Sequence, residues 1–98
     1  MRQLRLKGED SRYAFLFHGS EQEDKVEAVR QYLAGQADLL KKYSFAEAPL
    51  RWQEDGKSYI AGFVPCEKEA VVSLPEKGSV FILGSEGGFL VAAECQDR

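Results

Sequence analysis

The chain has 98 residues, enough for a single domain with its own hydrophobic core, which we assign to residues 1–98. Its net charge of −3 lacks the basic footprint of a nucleic-acid-binding domain, and no apolar run reaches transmembrane length. The first residues lack the apolar core of a signal peptide, so Cys66 and Cys95 are expected as free thiols. These features predict a soluble cytoplasmic protein without a membrane or nucleic-acid partner.

Two strands are predicted before the first helical segment. Leu4 and Leu6 alternate with basic residues, which is typical of a half-buried strand. Residues 12–18 form the second strand, with aromatic side chains on one face and Leu16 on the other. Because both faces are apolar, this strand is predicted to be central in its sheet.

Residues 20–43 carry the only sustained helical period. Ser20 and Glu23 match a capping box, which predicts the start of the helix. Apolar residues recur at intervals of three or four and form one stripe: Val26, Val29, Leu33, Ala37 and Leu40. Since the stripe continues in phase across Gly35, we predict one helix, bent there; the alternative is a first helix capped by Gly35.

A β-hairpin is the clearest local signal after the helix. Asp55-Gly56 is a favoured two-residue turn, because both of its central positions need positive φ. Folding about this turn places one apolar set on a single face: Leu50, Trp52, Tyr59, Ala61 and Phe63. The predicted pairs are Leu50 with Ala61, Trp52 with Tyr59, and Glu54 with Lys57.

Three further strands are predicted as a meander at residues 70–74, 79–83 and 89–95. The last two are apolar on both faces, whereas one helix covers only one face of a sheet. Either the sheet curls over itself or a second chain covers the other face, and we predict a homodimer. The candidate interface residues lie on these two strands: Val80, Ile82, Leu90 and Ala92.

Together these elements predict an α+β fold. An antiparallel sheet of five to seven strands packs on, or wraps, one main helix in the order β(β)-α-β-β-β-β-β. This order is similar to that of the cystatins and monellin, in which a sheet wraps a long helix. The Q-x-V-x-G inhibitory loop of the cystatins is absent, so the resemblance implies an architecture and no activity.

The loop at residues 84–89 reads G-S-E-G-G-F. It resembles the G-P-E-G-G-F loop of the knotted ribosomal-RNA uridine methyltransferases, which lines their S-adenosylmethionine site. Ser85 stands where that family carries proline, and the chain lacks the parallel βα alternation of such a domain. We therefore interpret the loop as a hairpin turn whose glycines reach positive φ, and predict no cofactor.

No set of residues predicts catalysis or metal binding. His18 is the only histidine, and neither a C-x-x-C nor an H-x-x-x-H spacing is present. The acidic residues at 21–27 are explained by the positive end of the helix macrodipole.

Three functional hypotheses follow. The leading one is a non-catalytic interaction module that self-associates through an apolar sheet face or binds another protein. The alternative is a small-ligand-binding domain whose pocket, between sheet and helix, is lined by aromatic side chains and a histidine: Trp52, Tyr59, Phe63 and His18. The third is a small enzyme acting through His18 or Glu86.

Overall fold

In the computed structural model of the chain, the described residues are 2–9, 15–54 and 56–95, with the side chain of Glu54 left out. They form seven strands and two helices: β1 (Arg2–Lys7), β2 (Phe15–His18), α1 (Glu23–Gly35), α2 (Ala37–Leu40), β3 (Leu50–Glu54), β4 (Lys57–Pro65), β5 (Glu69–Leu74), β6 (Val80–Ser85) and β7 (Gly88–Cys95). The predicted α+β class and the order of its elements are confirmed. The predicted strand at residues 12–14 and the turn residue Asp55 lie outside the described part of the chain.

The main sheet is antiparallel and has five strands in the order β2-β6-β7-β4-β3. The hairpin of β3 and β4 has the predicted register, with Trp52 opposite Tyr59 and Glu54 opposite Lys57. Gly56 has a φ of 76°, as the predicted turn requires. This hairpin was predictable because it depends only on its turn and on local alternation.

The strand β2 lies at an edge of the main sheet, so the predicted central position is wrong. In the described part of the chain it pairs only with β6, and Leu16 is 41% exposed. The prediction assumed that a strand with apolar residues on both faces must be packed on both faces. It failed because a single leucine can remain exposed at a protein surface.

The strand β5 does not join a meander with β6 and β7, so the predicted three-stranded meander is wrong. It pairs antiparallel with β1 in a separate two-stranded sheet, here called the ribbon. Both ribbon strands alternate between exposed and more buried residues, so each has one face for the core. The inward face of the ribbon carries Leu6, Val72 and Leu74.

The main sheet is therefore covered on both faces by the same chain. On its helix face, Val29, Leu33 and Leu40 pack against strand residues that include Phe81 and Ala92. On its ribbon face, a second cluster joins the ribbon to the sheet through residues that include Ile82 and Val91. Both apolar faces are thereby buried within one protomer.

The helical segment differs from its prediction at the start and in the middle. The helix α1 begins at Glu23 and is preceded by Gln22, whose side chain makes no capping hydrogen bond. The prediction that Ser20 caps the helix is therefore wrong. The prediction of a single helix is also wrong, because a turn at Gln36 separates α1 from α2. None of the helices in the described ranges is long and apolar enough to cross a membrane.

Candidate interaction groove along β5

The four residues predicted to form an interface are buried inside the protomer. Val80 and Ile82 face the ribbon, whereas Leu90 and Ala92 face the helices. Each side chain is at most 1% exposed. They are unavailable to a second chain unless the core opens, so the sequence-based choice of these residues is corrected.

The residues predicted to line a ligand pocket are only partly brought together. Trp52, Tyr59 and Phe63 lie in the cluster on the helix face, but His18 pairs with Val80 at the sheet edge and is exposed. The Trp52 ring stacks on Tyr32 and on Tyr59, at centroid distances of 4.4 and 5.0 Å. The protein's own rings thus fill the space in which the ligand was expected.

The indole Nε1 of Trp52 is buried and has no hydrogen-bond partner among the described residues. The rings of Tyr32 and Tyr59 stack on the indole face, whereas the indole N–H lies in the plane of its own ring. We interpret the unsatisfied N–H as an unfavourable contribution to stability that accompanies the aromatic packing.

The candidates for chemistry are dispersed. Glu86 lies exposed in the two-residue turn between β6 and β7, where Ser85 pairs with Gly88 and Gly87 has a φ of 83°. This geometry confirms the hairpin turn predicted for the G-S-E-G-G-F loop. Within the described residues, no cluster of three or more histidine, cysteine or acidic side chains could hold a metal ion.

Both cysteines are free. The Cys66 thiol donates a hydrogen bond to the Leu6 carbonyl oxygen at 3.6 Å, which fastens β1 to the end of β4. Burial raises the pKa of this thiol above its ordinary value. Cys66 is therefore a packing residue and not an activated nucleophile.

A charged cluster, here called the Glu21 network, joins the layers at one end of the molecule. Lys57 Nζ lies 2.7 Å from Glu21 Oε1 and 3.9 Å from Glu94 Oε1, and Ser79 Oγ donates to Glu21 Oε1 at 3.1 Å. The hydrogen bond from Lys57 holds the pKa of Glu21 below its ordinary value, although partial burial opposes this shift. Glu21 is thus engaged by its own chain, as expected of a structural ion pair.

An apolar groove of about 490 Å³ lies beside β5 and is here called the β5 groove. Ser73 is the only polar residue in its lining, which comprises Phe45, Ala46, Pro49, Ile60, Val64, Val71, Val72, Ser73, Leu74 and Pro75. No lining residue carries a charge. The groove therefore suits apolar side chains from a partner.

One wall of the groove is the segment that follows α2. Phe45 donates its backbone N–H to the Phe63 carbonyl at 3.2 Å, and Phe63 donates to the Tyr43 carbonyl at 2.8 Å. Gly62 permits this close approach, since a Cβ there would lie 2.5 Å from the Phe45 nitrogen. The wall is thus held to β4 by backbone contacts.

The other wall is β5, whose outer edge pairs with no strand in the described residues. Its one charged residue, Glu69, lies 3.6 Å from Arg5 of β1, and Val71 is 52% exposed. Roughly half of the backbone N–H and C=O groups of such an edge point away from its partner strand. The β5 edge can therefore accept another strand.

The other strand edges are less open to pairing. The strand β1 carries three basic residues, β3 follows a proline and carries Arg51, and the four described residues of β2 end in His18. Charge and proline discourage pairing between edge strands. Among the strand edges of the described residues, β5 is distinguished by its single charge and the adjoining groove.

Sequence reasoning missed this site. The alternation over residues 69–74 was a readable signal for one exposed face. The groove, however, depends on β5 crossing the main sheet beside residues 45–49, which no local pattern encodes.

No protein-family model, curated protein or solved structure matches the chain. The functional assignment therefore depends on the geometry of the β5 groove.

Proposed function

We propose that the chain is a non-catalytic protein-interaction module that binds an extended protein segment in the β5 groove. The observation that carries this proposal is the coincidence of an unpaired, nearly uncharged strand edge with an uncharged apolar groove. A segment added beside β5 would exchange backbone hydrogen bonds with the edge and direct alternate side chains into the groove. The homodimer expected from the sequence is one form of this association.

The same proposal includes a cytoplasmic location and excludes nucleic acid as the main partner. Two free thiols are typical of a reducing compartment. The net charge of −3 disfavours contact with phosphates. These two features support the proposal, whereas the groove defines its binding site.

A peptide titration tests the groove. The probe is a synthetic peptide with the sequence of residues 68–75, which contains the β5 strand and thus the alternation that the groove suits. We expect it to shift the backbone amide resonances of β5 and of residues 45–49 in an isotope-labelled protein.

The variant Ala46→Arg places a charged side chain on a residue that lines the groove, and we expect about tenfold weaker binding of the peptide. Ala48→Arg is the matched control, because Ala48 is exposed on the same segment but does not line the groove. Equal weakening by both variants, or shifts confined to β2, would contradict the proposed site.

A further inference from the structure

We infer that the occupant of the β5 edge is a second copy of this chain, paired antiparallel through β5 about a two-fold axis at Val71. The inference rests on the proposed function and names the partner of the same site. Because the two copies are identical, a closed dimer requires a surface that is complementary to itself.

The pleat of β5 limits the possible registers. Residues directly opposite each other in an antiparallel sheet project from the same face. The exposed residues of β5 are Glu69, Val71 and Ser73, so a continuous outer face requires these to oppose one another. Pairing centred on Val71 meets this requirement and places Val71 opposite its own copy.

This register also removes the largest exposed apolar side chain of the ribbon from water. Val71 is 52% exposed in one protomer, and the two copies would cover each other at the axis. Centring on Val72 instead would oppose Val71 with Ser73 and leave no apolar pair on the outer face. Burial therefore favours the Val71 register.

The charges agree with the same register. Glu69 would oppose Ser73 of the second copy, about 13 Å along the strands from the other Glu69. Each Glu69 keeps its ion pair with Arg5, at 3.6 Å. Self-pairing of β1 would instead line up three basic residues from each copy, so electrostatic repulsion disfavours that edge.

The pairing would also complete the ribbon. Two-stranded sheets are marginal in water, whereas sheets of three or more strands are stable. Two ribbons joined at β5 form a four-stranded sheet in the order β1-β5-β5-β1. The second copy would then lie along the open side of the β5 groove.

Charge-swap variants at position 71 test the two-fold register. We expect sedimentation equilibrium to show a wild-type dimer, and both Val71→Glu and Val71→Lys to weaken it at least about tenfold. An equimolar mixture of these two variants should recover association, because opposite charges then meet at the axis. Val71→Thr keeps a β-branched side chain without a charge and should retain association better than Val71→Glu or Val71→Lys.

Leu16→Glu is the control at the other exposed apolar edge position, on β2, and should leave the dimer unchanged. A dimer broken by Leu16→Glu but not by Val71→Glu would overturn the inference. Failure of the mixture to recover association would overturn the register. Circular dichroism of each variant shows whether the fold is retained.

The peptide titration separates failure of this inference from failure of the proposed function. A chain that is monomeric up to about 1 mM but binds the peptide in the β5 groove would overturn the second copy and leave the proposed function standing. A monomeric chain that also ignores the peptide would overturn both.

Discussion

Gly62 lies where the chain that follows α2 crosses β4. A Cβ built at this position would stand 2.5 Å from the Phe45 nitrogen and 2.7 Å from its Cα. These neighbours are backbone atoms, which cannot rotate away as a side chain can. Gly62 therefore holds the wall of the β5 groove against the main sheet.

We expect Gly62→Ala to lower the free energy of unfolding by about 1–3 kcal/mol, because the methyl group overpacks a backbone crossing. Urea titration measures the change. Gly35→Ala is the matched control: nothing lies within 4 Å of its Cβ position, at the end of α1. There we expect stabilisation by about 0.4–1 kcal/mol. A loss of stability in both variants would contradict this view of the two glycines.

The two glycines show what a sequence reveals at the residue scale. The weakness at Gly35 was visible because helix propensity is local, and the helix does end there. The role of Gly62 was not visible, since its neighbour Phe45 reaches it only through the folded path of the chain.

At the scale of elements, one face of α1 and α2 holds the helix layer to the sheet. Val29, Leu33 and Leu40 are buried, whereas Leu39 is 40% exposed. The apolar stripe of the helical segment therefore faces the sheet on both sides of the turn at Gln36. The hydrophobic period thus survives the break in the helix.

We expect Leu33→Ala to cost about 2–5 kcal/mol of unfolding free energy, because it leaves a cavity between α1 and the sheet. Leu39→Ala removes the same atoms from an exposed site and should cost about 0.5 kcal/mol or less. Thermal and urea unfolding of the pair measure the difference. Similar losses would mean that Leu33 does not anchor the helix.

The element predictions failed where a tertiary contact outweighed a local preference. The Ser20 capping box is typical of a helix start, yet Glu21 contacts Lys57 and Ser79, and Gln22 is extended and precedes the helix. Hairpin pairing over residues 50–61 needed no such information, so it was predicted in full register.

At the scale of the whole molecule, the Glu21 network links the segment before α1 to β4 and β7. The pKa values of its two main members, Glu21 and Lys57, are shifted in opposite directions. The pKa of Glu21 lies below its ordinary value of 4.5, and the hydrogen bond to Glu21 raises the pKa of Lys57 above its ordinary value of 10.5. Both shifts favour the charged forms, so Glu21 and Lys57 are both charged at neutral pH.

We expect Glu21→Gln to lower the melting temperature at neutral pH. The contribution of Glu21 is present above its unfolded pKa and is lost as pH falls through its lower folded pKa, so the gap from wild type should narrow below about pH 4.5. The contribution of Lys57 is present below its unfolded pKa and is lost as pH rises through its higher folded pKa.

Scanning calorimetry of both proteins from neutral to acidic pH checks this narrowing. Glu47→Gln, at an exposed side chain outside the network, provides the control for loss of one negative charge. A gap that stays constant into acid would show that Glu21 acts by packing alone.

The prediction that a second chain covers one face of the sheet began with a correct observation but missed the ribbon. The strands of the main sheet are apolar on both faces, as the sequence indicated, and both faces are covered. The second cover is the ribbon, in which Arg2 Nε donates to the Pro75 carbonyl across a sequence separation of 73 residues. No local pattern could identify that pairing, so a partner chain was invoked to cover a face that the chain covers itself.

The position of β7 has a consequence for the order of folding. Among the described residues, this strand lies between β6 and β4 in the main sheet, yet it follows both of them in the chain. During synthesis, β4 and β6 are therefore made before the strand that joins them. The main sheet can close only when β7 has emerged, and until then the apolar faces of β4 and β6 lack this partner.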